Sequence, residues 1–314
     1  MKGGRGWLAW ALAAMLFFAA TNFILGYVAE KSAGDAAASV KAAMILWLGT
    51  GLLGLAGAVF FKLSGRGFKG LPGRRSLFLP LAAGLTLALG MFLLKTSLAA
   101  NPLAKGPIVA VTSSNSLVVA LLAWALIRER LSPGQWAGFL VIVAGIMLIS
   151  LGGGTRAHLD AVGLAVAAML LFGATNFFLK LAGRRGCDSV TTAVVLWLAV
   201  GGCGLLAIAG YRIACSRLPL LGRPGLSALA LLAGVFLALG MLGIKKAVTL
   251  GQAGPATAVS GSNAILVSIL DLALLGHGLP GLKLAGMLTA VAGIAVLALV
   301  RPLKQPARAG ESTT

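Results

Sequence analysis

Long apolar stretches, separated by short segments rich in Gly, Pro, Arg and Lys, follow one another along the whole chain. A membrane-spanning helix needs about 20 mostly apolar residues, and ten stretches approach or exceed this length. No segment between them is long enough to form a separate soluble domain. The pattern therefore predicts an all-α integral membrane protein with ten transmembrane helices. The predicted spans are 7–29, 39–62, 77–98, 106–127, 134–152, 162–182, 190–212, 226–248, 254–277 and 280–300.

The pattern of the first five spans returns in the second five. Residues 18–23, FAATNF, are repeated as FGATNF at residues 172–177. Because five is an odd number of crossings, the second copy enters the membrane from the opposite side. We therefore predict two inverted five-helix repeats, 1–152 and 153–300, and a disordered cytoplasmic tail at 301–314. Further matches in the same order are Trp47 with Trp197, Gly90 with Gly240, Lys95 with Lys245, Asn115 with Asn263 and Gly145 with Gly293.

Composition agrees with a membrane protein and argues against a nucleic-acid partner. The chain is 59% hydrophobic and only 11% charged, whereas a soluble domain is about 25% charged. A net charge of +19 would suggest nucleic-acid binding in a soluble protein. Here the basic residues lie in the breaks between apolar stretches, and no basic stripe with interleaved aromatics accompanies them.

The basic residues also predict an orientation. If the amino terminus is cytoplasmic, most of the 26 lysines and arginines fall in segments on the cytoplasmic side, as the positive-inside rule requires. The segment with Arg212, Arg217 and Arg223 is an exception. We expect a multi-pass protein of the cytoplasmic (inner) membrane with both termini in the cytoplasm.

Polar residues at matching positions inside the spans are the candidate substrate-binding residues. An unpaired amide in a membrane helix costs several kcal/mol, so each must find a partner helix or a solute. Interhelical hydrogen bonding, worth about 0.6 kcal/mol on average, remains an alternative to substrate binding. The candidates are Asn22 and Asn176 in spans one and six, and Thr112, Asn115, Ser260 and Asn263 in spans four and nine.

Aromatic residues extend this candidate site. Phe18 and Phe172 share a helical face with the asparagine four residues later. Trp47 and Trp197 occupy matching positions in spans two and seven. Tryptophan often marks the membrane boundary, so boundary anchoring and cavity lining are both open for this pair. The expected cavity is lined by spans one, three, four, six, eight and nine.

Charged residues near the ends of spans are candidates for gating or coupling. Lys95 and Lys245 end spans three and eight, where snorkelling to the headgroups is the alternative to gating. Asp271 is a carboxylate inside span nine, and intramembrane acids are functional suspects. It lies near one end of that span, where contact with water is the alternative to proton coupling. We interpret Glu129 as a loop or helix-end charge.

The chain shows no residue pattern typical of an enzyme. There are no paired carboxylates, nucleophile–base set or phosphate-binding loop. The three cysteines and two histidines lack metal-ligand spacing. We therefore expect no catalytic residues, no metal and no cofactor.

One region of the first half carries a distinctive set of residues: Gly106-Pro107, Ser113-Ser114-Asn115, Arg128-Glu129-Arg130-Leu131-Ser132-Pro133, Gln135-Trp136, Gly138 and Ala144-Gly145. This set resembles the end of an EamA domain, which defines the drug/metabolite transporter superfamily. The second half departs from this motif, because His277-Gly278-Leu279-Pro280 replaces the acidic segment. The resemblance implies ten helices in two inverted five-helix repeats and transport of small organic solutes, often export.

These observations predict a secondary transporter that moves a small organic metabolite or drug-like solute by alternating access, in export or exchange. The expected partners are that solute and membrane lipid. A proton or a counter-substrate as the coupled species, and a monomer or a homodimer as the assembly, remain open. The alternative is a non-transporting membrane protein with a structural or lipid-handling role, such as a flippase accessory subunit.

Overall fold

The computed structural model describes residues 6–32, 35, 37–65, 74–100, 111–151, 159–276 and 281–300. Within these ranges the chain is helical and contains no strand, which confirms the all-α prediction. The α-helices are α1 Gly6–Lys31, α2 Ala38–Leu63, α3 Phe78–Ala100, α4 Asn115–Ile127, α5 Pro133–Leu151, α6 Leu159–Arg184, α7 Ser189–Cys215, α8 Pro224–Leu250, α9 Ala253–Gly261, α10 Ala264–Leu275 and α11 Gly281–Leu299. A short 3-10 helix, Arg74–Leu77, precedes α3.

Seven described helical stretches are long and apolar enough to cross a membrane. Three shorter apolar helical stretches, Val111–Ile127, Pro133–Leu148 and Leu284–Leu297, coincide with predicted spans four, five and ten. Parts of spans four, five, nine and ten, together with the 301–314 tail, lie outside the described residues. The seven long stretches are Gly6–Val28, Ala38–Leu63, Phe78–Ser97, Asp160–Arg184, Ser189–Cys215, Pro224–Leu250 and Ala253–Leu275.

Large apolar side chains cover the outside of the helices. A contiguous apolar surface of this kind is rare on soluble monomers, and helices that are apolar all round are typical of a membrane. The outer surface therefore supports a multi-pass membrane protein. Examples of exposed side chains are Leu16, Leu85, Trp124, Leu206 and Leu288.

Glycines allow α2 and α7 to cross with their backbones in contact. A Cβ atom on Gly51 would lie 2.5 Å from the Cα of Gly201, and a Cβ on Gly201 would meet the Cα of Gly51 in turn. Gly54 lies against Trp197, and Gly204 lies against Trp47. Small residues are what membrane helices need for close approach, and this crossing lies in the main apolar core.

The helices of the first half pack mainly against helices of the second half. α1 packs against α8, α3 against α6, and α5 against α11. At the last interface, a Cβ on Gly145 would lie 2.7 Å from Gly286 O, and one on Gly293 would lie 2.8 Å from Gly138 O. Each half therefore completes its packing with the other.

Corresponding residues of the two halves make corresponding contacts. The Phe172 ring lies against Gly90, where a Cβ would be 2.8 Å from the ring, and the Phe18 ring lies in the same way against Gly240. The repeated motif of the sequence thus contacts the third predicted span of the opposite half in both cases.

Candidate functional site

A tight turn interrupts the helix in the middle of predicted spans four and nine. Ser262 N donates to both Ala258 O and Val259 O, and Ile265 N donates to Ser262 O, three residues back. Ser114 makes the matching turn, with φ −72° and ψ 5° against −73° and 13° at Ser262. We expected unbroken helices here, and the structure differs because both serines adopt a turn conformation.

The asparagine after each turn satisfies a carbonyl of the interrupted helix. Asn115 Nδ2 donates to Thr112 O at 2.9 Å, and Asn263 Nδ2 donates to Ser260 O at 3.3 Å. Carbonyls released by a helix break in a membrane need such donors. These four predicted site residues are therefore brought together in two local pairs, one at each turn.

One of these asparagines also joins two distant helices. Asn22 Nδ2 on α1 donates to Asn263 Oδ1 at 2.8 Å. Asn22 is nevertheless an exposed residue. The structure thus brings together two of the four predicted amides.

The other two amides do not repeat this arrangement. Asn115 Oδ1 is buried without a hydrogen-bond partner among the described residues, and Asn176 on α6 is half-buried. α6 does approach the turn, since a Cβ on Gly173 would lie 3.4 Å from Asn115 O. A buried acceptor without a donor can accept a hydrogen bond from an N–H or O–H group.

The threonines of the repeated motif, which we did not predict as site residues, also join the two halves. Thr175 Oγ1 lies 2.8 Å from Thr86 Oγ1 on α3, and Thr21 Oγ1 lies 3.3 Å from Ala233 O on α8. The signal was present in the sequence, because both threonines precede the matching asparagines.

The tryptophan pair lies within the protein rather than at an exposed boundary. Trp47 and Trp197 are 4% and 5% exposed. Trp197 Nε1 donates to Ala238 O at 3.1 Å, whereas Trp47 Nε1 is buried without a partner among the described residues. Contact with solute remains a prediction for both.

The predicted gating residues have different environments. Lys245 is fully buried, so it does not snorkel to the headgroups, and its Nζ donates to Thr249 Oγ1 at 3.0 Å. Lys95 is half-buried in the last turns of α3. The Asp271 side chain lies outside the described part of the structure.

A buried ion pair lies at one end of the helices. Glu129 and Lys180 are 5% and 8% exposed, and Lys180 Nζ is 3.4 Å from Glu129 Oε1. The same carboxylate oxygen accepts from Ala253 N at the start of α9, where a helix terminus favours negative charge. Lys180 Nζ also donates to Gly251 O.

Two more hydrogen bonds join the same segments. Arg184 Nη1 donates to Ile127 O at 2.9 Å, and Gln252 Nε2 donates to Arg130 O at 2.8 Å. We call Glu129, Lys180, Arg184, Gly251, Gln252 and Ala253 the polar cluster. It connects α6, the α4–α5 loop and the α8–α9 turn.

Burial determines the protonation behaviour of Glu129. It raises the pKa of this carboxyl, and the nearby Lys180 and the amide of Ala253 offset the effect only in part. We interpreted Glu129 as a loop or helix-end charge, and it does lie in the α4–α5 loop, but we did not predict its burial or its pairing with Lys180. The available signal was Lys180, which falls on the same helical face as Phe172 and Asn176, at intervals of four residues.

No protein-family model matches the chain, and a search of curated proteins gives no match. Among solved structures, 29 chains match. One crystal structure superposes with a TM-score of 0.72 at 17% sequence identity, over 94% of this chain and 98% of the other. At this identity the likeness concerns the fold alone, and that fold extends over nearly the full length of both chains.

Proposed function

We propose that the chain is a secondary transporter that moves a small organic solute by alternating access, in export or exchange. It would cross the membrane ten times as two inverted repeats, 1–152 and 153–300, and resemble EamA-domain members of the drug/metabolite transporter superfamily. Its location would be the cytoplasmic membrane, with both termini inside. Catalysis and a cofactor form no part of the proposal.

The observation that carries the proposal is the reciprocity of the contacts between the halves. Phe18 meets Gly240 as Phe172 meets Gly90, and Gly51 meets Gly201 at the crossing of α2 and α7. Halves related in this way can exchange conformations, which is how inverted repeats alternate access.

The interrupted helices supply the second support. Discontinuous helices near the membrane centre commonly form the substrate site of secondary transporters. Here the turns at Ser114 and Ser262 lie beside Asn115 and Asn263, and Asn22 joins the second of them. We assign solute binding to these amides, together with Asn176, Thr112, Ser260 and the two aromatic pairs, Phe18 with Phe172 and Trp47 with Trp197.

The polar cluster agrees with the proposed topology. In that topology the ends of spans four, six and eight and the start of span nine all lie on the cytoplasmic face. Glu129, Lys180, Gly251 and Ala253 come from these four places and are in mutual contact. Lys245 ends span eight on the same face, while Lys95 and Asp271 would lie towards the outer face.

The test is transport and binding by purified protein in proteoliposomes, using a metabolite panel first selected by thermal stabilisation. A solute that binds the folded state raises its melting temperature. Asn115→Ala and Asn263→Ala should reduce uptake of the selected solute at least about tenfold, the loss expected when about 1.4 kcal/mol of binding is removed. Both variants should still insert and fold.

Thr289→Ala is the matched control. Thr289 lies in predicted span ten, and its hydroxyl donates within its own helix, to Ala285 O at 2.8 Å. Its replacement should leave uptake unchanged. Wild-type rates in both asparagine variants would reject the site, and stabilisation by lipids alone would favour the lipid-handling alternative.

A further inference from the structure

The polar cluster closes one end of the helices by direct contact between parts of both halves. Glu129 belongs to the α4–α5 loop and Lys180 to α6, while Gly251 lies in the α8–α9 turn and Ala253 begins α9. A layer of buried apolar side chains lies next to the polar cluster. Val119 on α4 is fully buried and packs with Ala253.

The position that corresponds to Lys180 in the first half carries no cation. By the spacing that relates Asn22 to Asn176, the counterpart of Lys180 is Gly26. Gly26 is exposed, and a Cβ placed on it would have no atom within 4 Å. Glycine therefore stands in the first half where the second half has Lys180.

Glu129 is only half satisfied within the closed end. Its Oε1 accepts from Lys180 at 3.4 Å and from Ala253 N at 3.2 Å. Its Oε2 is buried without a partner among the described residues, as is Oε1 of the neighbouring Gln252. A buried carboxylate oxygen without a donor is costly, and protonation of Oε2 removes the charge that burial penalises.

The surroundings of Glu129 favour a proton over a metal cation. α4, α5 and α9 contain no ionisable side chain in their described ranges, so no second carboxylate is supplied from them. The charged groups that face or flank Glu129 are Lys180 and Arg184 from α6, Lys245 from α8 beyond Lys180, and Arg128 and Arg130 from its own loop.

We propose that Glu129 is a proton-binding site, that an occupied site holds this end of the helices closed, and that proton release accompanies its opening. The step is the simple equilibrium between a carboxylic acid and a carboxylate with a free proton. The proposal rests on the transporter function proposed above, because opening of one end is a step of alternating access.

The direction follows from linkage. Burial raises the pKa of Glu129 in the closed end, whereas an opened, hydrated carboxyl returns towards its ordinary value. A ligand shifts an equilibrium towards the state that binds it more tightly, so protons favour the closed end. Raising the pH therefore favours opening.

The experiment measures access to residue 119 in the purified full chain, without any solute. Val119→Cys is placed in a variant from which the native cysteines have been removed, and its alkylation by N-ethylmaleimide is followed across pH. Thiol reactivity itself rises with pH. The reference is therefore a variant that retains only the exposed native Cys215.

We expect the ratio of the two alkylation rates to rise with pH, by up to about tenfold per pH unit for a single-proton equilibrium. With Glu129→Gln, which is neutral at every pH, the ratio should stay low and flat. A pH-independent ratio in the parent, or a pH-dependent ratio in the Gln variant, would overturn the proposal.

Lys180→Met provides an independent measurement should the Gln variant fail to fold. It removes the cation that lowers the pKa of Glu129, so the midpoint of the transition should move to higher pH. An unchanged midpoint contradicts the proposal. The alkylation ratio is measured without solute, so it does not depend on transport. If the ratio depends on pH but the protein transports none of the tested solutes, the transporter function is rejected and the proton site is supported.

Discussion

Asn22 on α1 and Asn263 at the α9–α10 turn are joined by a hydrogen bond of 2.8 Å. Asn176 and Asn115, which occupy the corresponding positions by the internal repeat, make no such bond, and Asn115 Oδ1 is buried without a partner among the described residues. The two corresponding asparagine pairs therefore differ. Asn22 and Asn263 are hydrogen-bonded to each other, whereas Asn176 and Asn115 are not.

The first prediction concerns this difference. A double-mutant cycle on Asn22→Ala and Asn263→Ala should give a coupling free energy of about 0.6 kcal/mol, and not more than about 1.7 kcal/mol, the range of interhelical hydrogen bonds in membranes. Unfolding in mixed micelles measures it. The matched cycle on Asn115 and Asn176 should give a value near zero, and equal coupling in the two cycles would refute the asymmetry.

The second prediction concerns the crossing of α2 and α7. Gly201→Ala should lower the melting temperature, because the added Cβ meets the Cα of Gly51 and overpacking costs about 1–3 kcal/mol. The adjacent Gly202→Ala is the control, since a Cβ there has no atom within 4 Å. It should be neutral or stabilising by up to about 1 kcal/mol through helix propensity. Similar melting temperatures for the two variants would contradict the contact.

The third prediction contrasts two buried lysines. Lys245 has one hydrogen-bond partner among the described residues, Thr249, so Lys245→Met should be neutral or stabilising, as is often seen when apolar groups replace buried charge. Lys180→Met should destabilise by up to about 3 kcal/mol at neutral pH, because it leaves Glu129 buried without its cation. Thermal unfolding measures the stability of both variants. A larger loss of stability in Lys245→Met than in Lys180→Met would contradict the environments described for the two lysines.

The fourth prediction concerns the start of α7. Burial alone would raise the pKa of Asp188, but hydrogen bonds from Thr191 and Val190 outweigh burial and lower this pKa. Its cap should contribute about 0.5–2 kcal/mol, fully present above the ordinary Asp pKa and lost as the pH falls through the lowered one. Asp188→Ala should lose this contribution at neutral pH.

Asp188→Asn is the control for that variant. Asparagine caps helices about as well as aspartate and carries no titratable group. The variant should keep most of the stability and lose its dependence on acidic pH. Melting curves between neutral pH and about pH 3 make the comparison. If the melting temperature of Asp188→Asn still falls at acidic pH as in the parent, Asp188 is not the group responsible.

Features set by the apolar pattern were predictable from the sequence. The helical fold and the positions of the long spans follow from stretches of about 20 apolar residues, and the described helices coincide with them. The sequence repeat also showed Phe18 and Phe172 at matching positions, whereas their contacts with Gly240 and Gly90 came only from the structure.

Features set by tertiary contact were not predictable from spacing. The turn at Ser262 lies inside an apolar stretch that reads as one helix. Glu129 reads as a loop charge because its partner Lys180 is 51 residues away. Likewise, the repeat pairs Asn22 with Asn176 in sequence, whereas the hydrogen bond joins Asn22 to Asn263.

The meeting of Gly51 with Gly201 places a constraint on how this chain can diverge. At most interfaces a larger residue on one side can be accommodated by a smaller one opposite. Here both positions already hold the smallest residue, and backbone lies against backbone. Neither position can therefore change in compensation for the other, so a search for relatives should find glycine at both even where the rest of the two halves has drifted apart.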